Sequence, residues 1–333
     1  MKRKQIIWAI ILFAGFTACK KDVSDNFVIY TNNAMNDTVW ARNLPTNAAI
    51  YSLFDSISPQ PMVDSFDIAK GDTLRFAKNI EIIFPANSLA GPIGVTLSGK
   101  IKVEVQSLLS KGDMIKAMKS STNYAALFET VGTFCIKASK NGQELSLLPS
   151  TNIKLRFLDP DDNPKTSLHV FAGKESYQVP SWGYDMDFTW LKTIDGSTIN
   201  IWTKYGSGPN KGYEIVSKNL RWIAAGKHMD STVSSAKLFA ILPPNYTNKN
   251  TVAFASFNDS KTVVQLNADY SSRSFSAKNI PLQKKITIVT ITKIGNTFYL
   301  GKRNVDDIGN IGVYNILPEK KSLKNILDFV EGL

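Results

Sequence analysis

"IKVEV" at residues 101–105 and "IKLRF" at residues 153–157 alternate apolar and charged side chains without a break. Successive side chains of a strand point to opposite faces, so this alternation marks strands with one face in a core and the other in water. Turn chemistry separates runs of this kind. Asn141-Gly142 lies between "FCIKASK" and "QELSLL", Asp195-Gly196 between "FTWLKTI" and "STINIW", and Gly295-Asn296 between "ITIVTITKI" and "TFYL". Each pair suits a short loop with left-handed backbone, and each predicts a hairpin. Repeated over most of the chain, the pattern predicts an all-β protein of tandem antiparallel β-sandwiches, immunoglobulin-like in class, and argues against a βαβ fold.

Helix is predicted at two places only. From Asp113 to Lys119, the residues Met114, Ile115 and Met118 share a face, with Asp113 near the N-terminal end. In "SLKNILDFVEGL" (322–333), Ser322 can cap, and Leu323, Ile326, Leu327 and Val330 fall at i, i+3, i+4 and i+7. That stripe is expected to dock on the last sandwich. One sandwich uses about 100 residues, so the chain calls for more than one domain. The expected division is a first sandwich over 27–173, a β-rich connecting unit over 174–229 crowded with Trp, Tyr and Gly, and a second sandwich with the terminal helix over 230–333.

The amino end has a different character. Met1-Lys2-Arg3-Lys4 is basic, and the apolar run from Ile6 to Phe16 is shorter than the roughly 20 residues a membrane-spanning helix needs. This is the pattern of a secretory signal. The run closes on Phe16-Thr17-Ala18-Cys19, which resembles the lipobox of bacterial lipoproteins: a bulky apolar residue, two small ones, then cysteine. The resemblance implies removal of residues 1–18, diacylglycerol on the Cys19 thiol and acylation of the new amino group, with the membrane as partner through that lipid. Several acyl chains hold a protein far more firmly than one. Residues 19–26 then read as a polar tether. In the lipoproteins it resembles, Asp after the acylated cysteine favours inner-membrane retention, so Lys20 implies the outer membrane. The Lys21-Asp22 step resembles the charged tag of Bacteroidota lipoproteins carried to the cell surface.

The segment "IEIIFPANSLAGPIGVTLSGKIKVEVQSLLSKGDMI", with "FETVGTFCIKASKNGQELSL" after it, resembles a module of Bacteroidota envelope lipoproteins and, distantly, the sandwich module of ankyrins and netrin receptors. The residues that carry it are Phe84-Pro85-Ala86-Asn87-Ser88, Gly99, Lys111-Gly112-Asp113-Met114 and Glu129-Thr130-Val131-Gly132. "NLRWIAAGK" and "LPPNYTNKNTVAFASF" are similar to the later part of the same lipoproteins, with Ala224-Ala225-Gly226 standing where Asn-Cys-Asp is associated with that slot. The resemblance implies a scaffold or interaction module, because no catalytic set travels with it.

The residues agree with a non-catalytic reading and a protein that needs no cofactor. Of two cysteines, lipidation takes Cys19 and leaves Cys135, in the strand-like "TFCIKA", without an intramolecular disulfide partner. The two histidines, His169 and His228, have no second ligand at metal spacing. No Gly-x-Ser-x-Gly elbow occurs, and "KYGSGPNKG" lacks the Lys-Ser/Thr end of a phosphate loop. Net charge is +11, or +8 once Lys2, Arg3 and Lys4 leave, with no basic run suited to a nucleic-acid groove. The acidic cluster Asp159, Asp161 and Asp162 lies in "DPDDNP", which reads as a turn and only weakly as a Ca²⁺ site. In the mid-chain aromatic series Trp182, Tyr184, Trp190, Trp202, Tyr205 and Tyr213, core packing competes with ligand contact: Trp190 and Trp202 flank a turn where cross-strand packing would use them, and Trp182, Tyr184 and Tyr205 are the candidates for stacking on a sugar. The partners expected are an envelope protein or a glycan, and the rival function is a glycan hydrolase using carboxylates from separate loops.

Overall fold

The computed structural model describes residues 37–91, 97–123, 126–175, 188–205, 210–230 and 233–333. The expected signal over residues 1–18, Cys19, the expected tether over 19–26, Trp182 and Tyr184 lie outside the described residues. In chain order the first part carries α1 (Ala49–Ile57), β1 (Met62–Asp67), β2 (Asp72–Phe76), β3 (Ile80–Phe84), β4 (Leu89–Ala90), β5 (Lys100–Leu108), α2 (Lys111–Lys116), β6 (Thr122–Asn123), β7 (Ala126–Lys140), β8 (Gln143–Glu144), β9 (Ser146–Leu147) and β10 (Ile153–Leu158). Next come β11 (His169–Lys174), β12 (Thr189–Lys192), β13 (Thr198–Lys204), β14 (Asn210–Ser217) and β15 (Arg221–His228). The last part carries β16 (Ser235–Ile241), β17 (Thr251–Phe257), β18 (Val263–Asp269), β19 (Ser274–Pro281), β20 (Ile286–Ile294), β21 (Thr297–Val305), β22 (Ile311–Asn315), β23 (Glu319–Lys321) and α3 (Leu323–Glu331).

Two sheets make the first sandwich. One runs β1-β5-β7-β15-β11-β12 and the other β13-β14-β10-β3-β2. The alternation in "IKVEV" and "IKLRF" is what joins them: Ile101, Val103 and Val105 point inward from the first sheet, and Ile153, Leu155 and Phe157 from the second. The outer face of the second sheet is a ladder of alternating charge. Arg75 stands opposite Glu81, Glu81 opposite Arg156, and Arg156 opposite Glu214, so four neighbouring strands present opposite charges at adjacent positions.

At β7 and β15 the first sheet is buried on both faces, whereas β1 and β5 keep one face in water, and this explains why β7 reads as a nearly continuous apolar run rather than an alternating one. Ala224 and Ala225, side by side in β15, are both fully buried and belong to different cores, one on each face. On the far face Phe128, Phe171, Trp190 and Trp222 meet Leu53 of α1, Met114 of α2, Ile326 of α3 and Phe254 of β17.

β4 and β9 pair in a small two-stranded sheet, and the last large sheet runs β22-β16-β19-β18-β17-β20-β21-β23. It folds over at β18, whose first half, Val263 to Leu266, pairs with β17 and whose second half, Asn267 to Asp269, pairs with β19. The fold encloses Leu238, Phe257, Leu266, Phe275, Ile286 and Ile288. The protein is therefore all-β, with tandem sandwiches and a short C-terminal helix. One pair departs from the antiparallel expectation: β16 and β22 run parallel. β21 and β22 lie far apart in the sheet order, so β22 arrives by a crossover and not through a hairpin turn.

Asn141-Gly142 and Gly295-Asn296 are hairpin turns, with Lys140 paired to Gln143 and Ile294 to Thr297. Asn141 and Gly142 both take left-handed φ (51° and 80°), the conformation a two-residue turn of this hand requires. Asp195-Gly196 is not a hairpin. β12 before it belongs to the first sheet and β13 after it to the second, so the chain crosses from one layer to the other. Asp195 holds that crossing by accepting hydrogen bonds from Ser197 N and from the Asn219 amide. The described strands of 174–229 likewise form no separate connecting unit. β12 and β15 complete the first sheet and β13 and β14 the second, because Trp190, Tyr213, Ile215 and Ile223 bury their apolar faces there.

Helix α1 was not predicted, although Ile50, Leu53 and Ile57 follow helical spacing, and Ala48 at its start offers no capping side chain. Helix α2 opens at Lys111, two residues before the expected start, because the Ser110 hydroxyl accepts from Asp113 N. Ser322 caps α3 as predicted. The helix docks on α2 of the first sandwich as well as on β21 of the last. Gly112 allows this approach, since a Cβ there would run into the Val330 backbone.

Candidate binding cleft at the sandwich junction

The loop between β17 and β18 is sewn to the first sandwich by main-chain and side-chain hydrogen bonds. Thr130 N donates to Lys261 O (3.2 Å), Ser121 N to Val263 O (2.7 Å), and Lys111 Nζ to Phe257 O (2.7 Å). Beside this seam lies a cleft of about 400 Å³. Lys78 and Asn79 enter it from the β2–β3 turn, Leu109 and Val131 from the first sheet, Leu158, Asp159, Pro160 and Asp162 from the end of β10, and Lys261 from the seam itself.

The acidic cluster read from the sequence thus lines a cleft, yet its oxygens serve its own turn. Asp159 Oδ1 accepts from Asp161 N (3.1 Å) and Asn163 N (3.2 Å), and Asp159 Oδ2 accepts from the Tyr213 hydroxyl (2.9 Å). Asp162 accepts from Lys211 N. Among the described residues no group of three or more His, Cys, Asp or Glu side chains is placed to hold a metal ion. Tyr213, a core residue, also accepts from Lys165 N, and burial together with the Asp159 carboxylate pushes its hydroxyl above the usual tyrosine range.

Cations approach the cleft from two sides. Lys78 pairs with Asp113 (3.4 Å), which pairs in turn with Lys116 (3.1 Å), and Lys116 reaches Glu331 of α3 (3.1 Å). This chain ties the β2–β3 turn to the C-terminal helix. Burial alone would raise the Asp113 carboxyl, but Lys78 and Lys116 outweigh it and hold it below the usual range. Burial pushes the half-buried Lys261 ammonium below the usual lysine range, with Asp159 only partly offsetting it.

The aromatic candidates divide. Trp190 is 1% exposed and donates from Nε1 to Ser120 O (2.8 Å). Trp202 lies under the Arg156 guanidinium, 5.1 Å from the ring centre, beside the charge ladder. Tyr205 alone of the described candidates stands out in solvent, 85% exposed. The sequence reading did not single out Phe188, Trp222, Lys119, Glu175 or Arg221, which cluster around Trp190. The Lys119 ammonium sits 4.0 Å from the Phe188 ring centre and 5.1 Å from that of Trp222. Glu175 accepts from Trp222 Nε1 (2.7 Å) and from Arg221, which also binds Glu144 (2.7 Å). The charges Lys119, Glu144, Glu175 and Arg221 come from four separate stretches of chain, so no local pattern gathers them.

Burial would raise the Glu175 carboxyl, but the Arg221 and Trp222 donors and the charges of Arg221 and Lys119 bring it below the usual glutamate range. A carboxyl depressed in the folded state contributes stability that is present above its unfolded pKa and lost as pH falls through the folded one. Glu175→Gln is therefore expected to lower the melting temperature near neutral pH and to reduce the wild-type drop on acidification through about pH 4. A thermal melt series across that range checks it, and parallel curves for the two proteins would contradict it.

Cys135 is buried, and burial pushes its thiol up to about 12, so at neutral pH it is a packed apolar group rather than a nucleophile. His169 and His228 lie on neighbouring strands, His228 with its ring edge against Phe171 (5.1 Å). Burial, then Lys192 and His228, lower the His169 pKa. No protein-family model matches this chain, and no curated protein matches it either.

Proposed function

We propose that this protein is a lipid-anchored component of the bacterial outer membrane that acts by binding, with the junction cleft as its ligand site. The cleft carries the binding part of this reading. Its lining comes from the first sandwich, with Lys261 of the second held beside it by the seam hydrogen bonds, so a ligand meets a preformed surface and little has to be ordered on binding. The carboxylates at its rim are engaged by backbone N–H groups and Tyr213, which suits a role in shaping the cleft more than in moving protons.

The anchor rests on Cys19, which closes the apolar run after a basic start. Among the described residues no helix is long and apolar enough to cross a membrane. In a lipoprotein-processing host, the wild-type chain is expected to incorporate labelled palmitate and sediment with membranes, and Cys19→Ser to do neither. Labelled Cys19→Ser in the membrane fraction would sink the anchor.

Glycan binding through exposed aromatics is the second reading. Tyr205 supports it by its exposure, whereas Trp190 and Tyr213 are engaged in the core.

A further inference from the structure

We propose that the junction cleft binds an acidic sugar, with the sugar carboxylate seated on the Lys261 ammonium and the ring lying against the apolar floor. This rests on the reading of the cleft as a ligand site and names the ligand class. The argument begins with a charge that lacks a counter-ion. Among the described residues, no carboxylate lies within ion-pair distance of Lys261.

Asp159, Glu129 and Asp161 act on the Lys261 charge through space without forming an ion pair with it. Asp159 is held by two turn amides and the Tyr213 hydroxyl, and Glu129 pairs with Lys165 at 2.6 Å. A half-buried ammonium that has lost part of its hydration without gaining a partner is an unmet cost, and an anion brought in by a ligand meets it.

The space beside Lys261 selects among anions. Leu109, Val131, Leu158 and Pro160 contribute apolar surface to the cleft, which a bare inorganic phosphate has no means of using. The site also lacks the marks of a dianion site: Lys261 sits in a loop, and the second cation, Lys78, is already shared with Asp113. One ammonium beside apolar side chains fits a carboxylate that places a single charge on each sugar ring, not two charges on one small group. A volume of about 400 Å³ accommodates one or two such rings.

The test uses the full mature chain in detergent, titrated by calorimetry and ligand-observed NMR with digalacturonate, with galactobiose as the uncharged comparator and with inorganic phosphate. Digalacturonate is expected to bind at least about tenfold more tightly than either of the others. Lys261→Met is expected to weaken it by about tenfold or more while the melting temperature holds, and Lys261→Arg to retain it. Lys285→Met, which removes an exposed lysine of the second sandwich, should leave the affinity unchanged and so exclude a general charge effect.

Equal binding of galactobiose and digalacturonate, unaffected by Lys261→Met, would overturn the acidic-sugar assignment and leave the cleft as a sugar site. Phosphate binding as tightly as digalacturonate would overturn the sugar and keep the anion. No binding of any of the three would overturn the acidic-sugar assignment, while the cleft reading itself fails only if no ligand of any class perturbs the residues that line it.

Discussion

Trp190→Ala is expected to destabilise the protein by about 3–5 kcal/mol, the cost typical of deleting a large buried aromatic. Trp190 is 1% exposed and sits at the centre of an edge-to-face cluster, 5.1 Å from Phe188, 6.1 Å from Phe128 and 6.3 Å from Trp222 between ring centres. Its removal leaves a cavity on the face of the first sheet that meets the helices and β17, and it strips Ser120 O of the indole donor. Trp190→Phe keeps a ring but loses that hydrogen bond, and about 1–2 kcal/mol is expected for it. Urea titrations followed by far-UV circular dichroism measure both. A midpoint for Trp190→Ala indistinguishable from wild type would mean that the cluster does not hold the two sandwiches together.

Ile326→Asp is expected to release α3. Ile326 and Val330 are both fully buried, and each contributes about 1.5–3 kcal/mol by leaving water. An unpartnered carboxylate at position 326 cannot stay in that apolar site, and the cheapest escape is for this last element to leave as a unit. The loss is therefore expected to level off at the docking free energy of the helix, about 3–5 kcal/mol, and not to unfold the sheets. Hydrogen exchange should show protection lost over α3 and over α2, whose Gly112 and Lys116 face it, with β17 and β20 still protected. Loss of protection throughout would show that the helix is integral to both sandwiches and not a docked lid.

These two outcomes touch the part of the molecule that was hardest to read. β5 and β10 of the first sandwich were legible because they are wet on one side: "IKVEV" and "IKLRF" place their charges in water and their apolar residues in one core, and the period of two survives in the sequence. β7 and β17 carry apolar residues on both faces, so the period that would have located them is absent. Asp195-Gly196 has the chemistry of a hairpin turn. Whether such a turn returns a strand to its neighbour or crosses to the next layer depends on where the following apolar face finds room.

The candidate site follows the same division. "DPDDNP" was readable as a turn, and its carboxylates do accept that turn's own amides. That this turn lines a cleft with Lys78 and Lys261 was not readable, since about a hundred residues separate Asp159 from Lys261. Among the aromatics, Trp190 is core, Tyr205 is solvated and Trp202 lies beside the Arg156 guanidinium, because burial belongs to the position a strand takes in a sheet.

By itself the sequence determined the class of fold, the Asn141-Gly142 and Gly295-Asn296 turns, the capped terminal helix, and the expectation of a lipid on Cys19. Each rests on a local rule, linking a few neighbouring residues to a period, a turn or a cap. Only the tertiary structure decided that β12 to β15 complete the first sandwich, that the last sheet folds over at β18, and that α3 spans both sandwiches. It also brought a lysine from one sandwich beside an aspartate turn of the other. Those outcomes depend on which apolar faces meet, and a face is shared by residues far apart in the chain.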